Sequence, residues 1–300
     1  MRFTPNSHFV NSEGPSIMKE IAEFRVDERF ASLLLGDDEG ERLRSGMIRR
    51  VEFDSCDPRY NEVGHLQSEL HSKHGKPFFY GWDLRYVATP REIQQARLFR
   101  ARITSVFEPA GEECGTEYDE STACTDCGAG ATLVEPLVVD LKRIPKGKDF
   151  AKTIAGEVVV SRRVLDCFEH HSLTGANLSP LGANRSSSVG KNEWFHLTIA
   201  SAEAEIVAPT RVGINPFDDD LGGECRCRLG DLLGLNLLSL LSIGSKTRSE
   251  ADIESTRQYI GVRRGLLRPE RQILVSPTFR RLIESEKLKG LAFEIAYLVQ

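Results

Sequence analysis

The 300-residue chain lacks the marks of several large functional classes. It has no basic excess: 39 lysines and arginines stand against 44 aspartates and glutamates, a formal charge of −5. Neutralising nucleic-acid phosphates normally requires a basic face, so this balance argues against a generic nucleic-acid binder. The short pairs Arg263-Arg264 and Arg280-Arg281 read as solvated surface. There is no long hydrophobic run either. Leu232–Ile243 is the longest apolar stretch, far short of the roughly 20 residues that a membrane-spanning helix needs, and Asn236 and two serines interrupt it. Met1–Val10 has no basic start followed by an apolar segment, so a soluble cytoplasmic protein is expected. Walker, GxSxG, HExxH and dinucleotide-binding patterns are missing as well, and no catalytic set of residues can be named.

What is present is an ordinary folding composition, 40% hydrophobic and 28% charged, long enough for one large domain or two smaller ones. Phe78-Phe79-Tyr80 and Leu84-Arg85-Tyr86-Val87 have the aromatic and β-branched content of strands. Thr89-Pro90-Arg91-Glu92 opens a helix, with threonine as cap and proline at the first helical position. Arg102–Phe107 reads as a strand leading into a cysteine-bearing segment. The predicted class is α+β: mixed sheets with short helices, a duplicated strand-helix-strand unit and an inserted zinc knuckle. An N-terminal α+β region is expected over residues 1–108, and a knuckle region with two repeated units over 109–300.

The repeats span 157–181 and 272–299. Val158-Val159-Val160-Ser161, Val164, Phe168, Leu173, Gly175 and Leu178 match Ile273-Leu274-Val275-Ser276, Phe279, Ile283, Leu288, Gly290 and Phe293 at a constant offset of 115. Each copy reads as strand, serine N-cap, short helix, glycine turn and strand. Apolar residues at helical spacing follow the serine, and glycine stands where the chain must reverse through positive φ. Leu291, Phe293, Ile295 and Tyr297 then alternate as in a half-buried strand. Such units are expected to be packing modules.

Seven cysteines, at 56, 114, 124, 127, 167, 225 and 227, do not suit a disulfide framework in a chain of this length. Cys56 and Cys167 stand alone and are expected as small core residues. Cys124-Thr125-Asp126-Cys127-Gly128 has the outline of a zinc knuckle, two thiolates on a tight turn closed by glycine. Gly111-Glu112-Glu113-Cys114-Gly115 has the same outline, with glycine in the first cysteine position. Tetrahedral zinc takes four ligands. Cys114, Cys124 and Cys127 are three candidates, and Cys225 or Cys227, after the turn-rich Asn215–Gly223 segment, is the fourth. A structural metal is expected over a redox dithiol, which normally starts a helix, whereas Gly128-Ala129-Gly130 disfavours one.

Other candidates have plainer readings. His170-His171 falls in the last turn of the first repeat's helix, where imidazole interacts with terminal carbonyls. His196 is expected on the exposed side of a strand. Asp218-Asp219-Asp220 lacks the spaced ligands of a calcium loop, and Ser179–Lys191 reads as a polar loop.

Residues 110–300 resemble the bacterial double-CxxCG family of paralogous proteins and the related immunity-like proteins found beside polymorphic toxins. The resemblance is carried by Gly111–Gly115, Cys124–Gly128, Val159-Val160-Ser161 with Leu173-Thr174-Gly175, Arg263–Pro269, and Leu274-Val275-Ser276 with Leu288-Lys289-Gly290. It departs from the family pattern at Gly111 and does not cover the first hundred residues. It implies a zinc-stabilised, non-enzymatic binding protein that neutralises a cognate toxin. The acidic balance suits a basic partner such as a nuclease. The rival expectations are a metal-dependent enzyme using Cys124, Cys127 and His170 or His171, and a redox-responsive thiol protein.

Overall fold

The computed structural model describes residues 19–43, 46–182, 193–213, 236–261, 263 and 265–300. Cys225, Cys227, Asp218–Asp220 and residues 183–191 of the polar loop lie outside the described residues. The chain is α+β, with several mixed sheets and few, short helices. It divides into two compact units, Met1–Pro90 and Arg91–Gln300.

In the first unit, β1 (Lys19–Asp27), β2 (Glu41–Arg42), β3 (Ile48–Asp54) and β4 (Phe79–Val87) form an antiparallel sheet in the order β2-β3-β1-β4. Alternation places Ala22, Phe24, Val26, Val51 and Phe53 on one buried face. Helix α1 (Arg59–His74) contributes Tyr60, Val63 and Leu70 to the core and ends at Gly75 in the left-handed conformation. The Gln67 side-chain oxygen accepts from the amides of Phe78 and Phe79 at 2.7 and 3.1 Å, which ties the helix to the start of β4. Cys56, expected in a core, is exposed on the turn after β3, where its amide donates to Asp54.

The second unit begins with helix α2 (Pro90–Gln95), one residue before the division. The expected strand over 102–107 is two strands, β5 (Phe99–Ile103) and β6 (Val106–Phe107), which join different sheets. Then come β7 (Glu117–Asp119), β8 (Thr132–Val134), β9 (Phe150–Thr153), β10 (Val158–Ser161), α3 (Arg162–His170), β11 (Ala176–Pro180) and β12 (Trp194–Ile199). After β13 (Val212–Gly213), β14 (Asn236–Leu237) and β15 (Ser242–Gly244) come β16 (Ile253–Ile260), β17 (Glu270–Val275), α4 (Pro277–Ser285), β18 (Leu291–Ile295) and β19 (Tyr297–Val299). Tyr297 thus leaves the preceding strand: β19 pairs in parallel with β15.

The two strand-helix-strand units are β10-α3-β11 and β17-α4-β18, and their sheets share one plan. One runs β11-β12-β10-β9-β6 and the other β18-β5-β17-β16. The registers coincide at the offset of 115: Leu178 faces Leu197 as Phe293 faces Ala101, and Val159 faces His196 as Leu274 faces Arg100. Strand β5 therefore fills in the second sheet the position that β12 fills in the first, although it precedes its unit in the chain.

The units hold each other by reciprocal contacts, as a local two-fold relation requires. Asp149, before β9, accepts from the Ser161 hydroxyl at 2.9 Å and from the Lys289 amide at 2.8 Å. Asp252, before β16, accepts from the Ser276 hydroxyl and the Thr174 amide, both at 3.1 Å. Ser276 also caps α4, accepting from the Phe279 amide at 3.0 Å, whereas Ser161 holds the expected N-cap position of α3 without such a side-chain bond. Phe168 of α3 meets Phe279 of α4 edge-on at 5.9 Å. His171 and Glu286, 115 residues apart, approach to 3.7 Å.

Gly175 and Gly290 adopt positive φ, +95° and +112°, each pressed against the other unit. A Cβ on Gly175 would lie 1.8 Å from the Ile253 carbonyl oxygen, and one on Gly290 would lie 2.0 Å from that of Phe150. Only glycine meets both demands.

Candidate functional site

Cys124 and Cys127 stand on a tight turn, as their spacing requires. The Gly128 amide donates to the Cys124 carbonyl at 2.7 Å, the Cys124 amide donates to the Ala129 carbonyl at 2.8 Å, and Gly128 takes φ +73°. Cys127 is buried, and Cys124 and Tyr259 of β16 pack against the small cluster it forms with Ala129. The turn is gripped by two arginines: a Cβ on Gly128 would lie 3.3 Å from Nη1 of Arg263 and 3.4 Å from Cγ of Arg268. Arg268 forks onto Glu112 at 2.9 and 3.2 Å and reaches Glu120 at 2.6 Å, while its guanidinium stacks over the Tyr118 ring at 4.4 Å. Those two carboxylates hold Arg268 more firmly protonated than usual.

The companion segment is a separate turn. Gly111–Cys114 forms a short 3-10 turn closed by Gly115 at φ +100°. A Cβ at Gly111 would come within 2.9 Å of both Glu157 Oε1 and Thr116 Oγ1 and 3.0 Å of Leu137 Cδ1, so packing calls for glycine where the knuckle outline has its first cysteine. Burial pushes the Cys114 thiol pKa up, and the charges of Asp140, Glu113 and Glu157 push the same way, the opposite of what a thiolate ligand needs. Among the described residues no three histidine, cysteine, aspartate or glutamate side chains gather as a metal site. The turn at Cys124–Gly128 fits half of a four-thiolate zinc site. The remaining two candidates, Cys225 and Cys227, lie outside the described residues.

Beside the turn is a cleft of about 510 Å³, within the size range of small-molecule sites. Its lining follows the two-fold relation: Arg100 is equivalent to His196, Arg102 to Thr198, and Glu157, just before β10, to Gln272 of β17. Gly128 and Gly130 of the cysteine turn form part of the rim.

His196 is buried, contrary to expectation, and its Nδ1 lies 2.6 Å from Glu135 Oε1. Arg100, the equivalent residue, bonds Gln272 at 2.9 Å and Glu294 at 2.9 Å. Burial lowers the Arg100 pKa more than Glu294 raises it. Burial likewise raises the Glu157 carboxyl pKa, against the Tyr118 hydroxyl that donates to it at 3.0 Å. Sequence reasoning missed this cleft because its walls come from segments as far apart as β5 and β17. The one available signal was the offset of 115, which pairs Glu157 with Gln272.

His170 and His171 lie edge to face at 4.7 Å at the end of α3, where the His171 amide donates to the Cys167 carbonyl. Neither lines the cleft. No helix among the described residues is long and apolar enough to cross a membrane. No protein-family model matches this sequence, and no curated protein matches it either.

Proposed function

We propose that this protein is a non-enzymatic, zinc-stabilised binding protein of the immunity type, which works in the cytoplasm and neutralises a cognate toxin by covering its active site. The observation that carries the metal part is the turn at Cys124–Gly128: two thiols three positions apart in a glycine-closed loop, with two arginines against it. Cys124 and Cys127 would supply two ligands, and Cys225 and Cys227 are the proposed remainder, with Cys114 the alternative to one of them. The metal's role in this reading is to clasp the 109–135 segment to the chain near Cys225. The partner part rests on the resemblance in 110–300 and on the acidic balance, which suits a basic toxin.

Metal analysis of the purified chain, with Cys124→Ser and Cys227→Ser variants, tests the clasp. Bound zinc is expected in the parent, with reduced zinc and a lower melting temperature in both variants. Zinc retained with unchanged melting in both would refute the site. Stoichiometric Cys124–Cys127 oxidation without zinc would instead favour the thiol-switch reading. Co-expression with a secreted toxin encoded beside the gene tests the partner, and cells left unprotected would count decisively against immunity.

A further inference from the structure

We propose that the cleft between the two repeated units binds a small organic molecule through an oxyanion, a carboxylate or phosphoryl group, held by Arg271. The proposal is independent of the zinc clasp and of the immunity reading.

It starts from the partners of the cleft's cations. Among the described residues five line it: Arg100, Arg102, Lys152, Arg268 and Arg271. Lys152 is matched by Glu270 at 2.6 Å. Arg268 and its neighbour Arg263 are matched by Glu112 and Glu120. Arg100 and Arg102 share the single carboxylate of Glu294, at 2.9 and 2.7 Å. Arg271 forms no ion pair or side-chain hydrogen bond among the described residues, and its Nε is buried without a partner. Two cations on one carboxylate, and a third on none, leave the lining with more positive charge than its pairs consume. Glu157 is the remaining carboxylate of the lining, and its burial favours the neutral acid. His196, on the opposite wall, is bonded to Glu135.

The geometry around Arg271 resembles that of a prepared site. Its guanidinium lies over the Tyr259 ring at 4.7 Å, which fixes the plane of the fork and leaves its edge for hydrogen bonding. A guanidinium edge presents parallel N–H donors that match a carboxylate or phosphoryl group in bidentate fashion. The cleft is much larger than a bare oxyanion. Ile103, Leu133, Val158, Ile199 and Ile273 supply apolar wall for an attached organic body.

Calorimetric titration of the full chain at fixed ionic strength tests this, with benzoate, phenyl phosphate and inorganic phosphate as probes. At least one of the two aryl anions is expected to bind with one-to-one stoichiometry. Whichever is tighter assigns the head group, and inorganic phosphate is expected to be weaker than phenyl phosphate because it leaves the apolar wall unused. Arg271→Gln should weaken binding about tenfold or more, the loss expected for a charge-assisted bidentate contact. Arg271→Lys, which keeps the charge and loses the fork, should fall between. Arg102→Gln leaves Glu294 paired with Arg100 and should weaken binding severalfold, so the test survives if the Arg271 variants fold poorly. Arg143→Gln, outside the cleft, should bind like the parent. The absence of binding by both aryl anions at millimolar concentration would overturn the proposal, as would parental affinity in folded Arg271→Gln or Arg102→Gln protein.

Discussion

Replacing Gly290 with alanine would place a methyl group 2.0 Å from the Phe150 carbonyl oxygen and 2.9 Å from its carbon. The obstacle is backbone, so no side-chain rotation relieves it, and the two segments must separate by roughly 1.5 Å to reach ordinary contact. Those segments are joined by the Asp149 and Phe150 amides, which donate to the Lys289 carbonyl at 2.7 and 2.9 Å, and by the Lys289 amide, which donates to the Asp149 carboxylate at 2.8 Å. Weakening three such bonds costs about 1 kcal/mol each. Positive φ with a side chain adds about 1–2 kcal/mol. The total is about 4–5 kcal/mol, near the upper end for a single substitution. For a unit of this size that is on the order of 10 °C in melting temperature. Gly175→Ala should match it, because the Cβ there would sit 1.8 Å from the Ile253 carbonyl oxygen. Gly147, at φ +69° with nothing within 4 Å of a Cβ, supplies the control, and its alanine variant should lose only about 1–2 kcal/mol. Urea titrations followed by circular dichroism measure all three. If Gly290→Ala and Gly175→Ala lose no more than Gly147→Ala, the reciprocal packing of the two units is refuted.

Asp149→Ala should cost about 3 kcal/mol by the same assay, since it strips acceptors from the Ser161 hydroxyl, the Arg163 guanidinium and the Lys289 amide at a buried position. In the first unit, bonds from Arg49 and Arg42 hold the Glu28 carboxyl at about 2, below its ordinary 4.5. A depressed acid stabilises the fold above the unfolded value and loses that contribution as pH falls through the folded one. Acid melts should therefore weaken between about 4.5 and 2, and Glu28→Gln should flatten that limb; an unchanged profile would contradict the pairing. A thiol reagent should label exposed Cys56 in the native protein while sparing buried Cys167 until unfolding, which mass spectrometry of the peptides resolves.

The parts of this fold that the sequence made legible are those whose causes are local. The offset of 115 exposed both strand-helix-strand units because each needs the same apolar helix face and the same glycine after it. The turn at Cys124–Gly128 was legible for a similar reason, since three of its features lie within five residues. Helix α1 was not visible: of its sixteen residues only Tyr60, Val63 and Leu70 are buried, too thin a stripe to stand out. His196 was misjudged because what buries it is the sheet and Glu135, sixty-one residues away in sequence. Arg102–Phe107 looked like one strand, and the change of sheet at Thr104-Ser105 follows from pairing with distant β9, β17 and β18. The cleft depends on the same long-range pairings, so its cations were invisible as a group although each was in plain view.

The displaced origin of β5 also bears on how the protein is made. The strand leaves the ribosome early, yet Glu270, where β17 begins, is 167 residues beyond Ile103. At about 5–20 residues per second, that leaves Phe99 and Ala101 waiting on the order of ten seconds or more for their sheet. An unpaired strand with an apolar face is a natural target for chaperones and for wrong pairing with other nascent chains. The first repeated unit carries its fourth strand, β12, close behind the other three and faces no such wait. The sheet built on β5 therefore cannot close until β17 and β18 have been made, long after β5 itself is released.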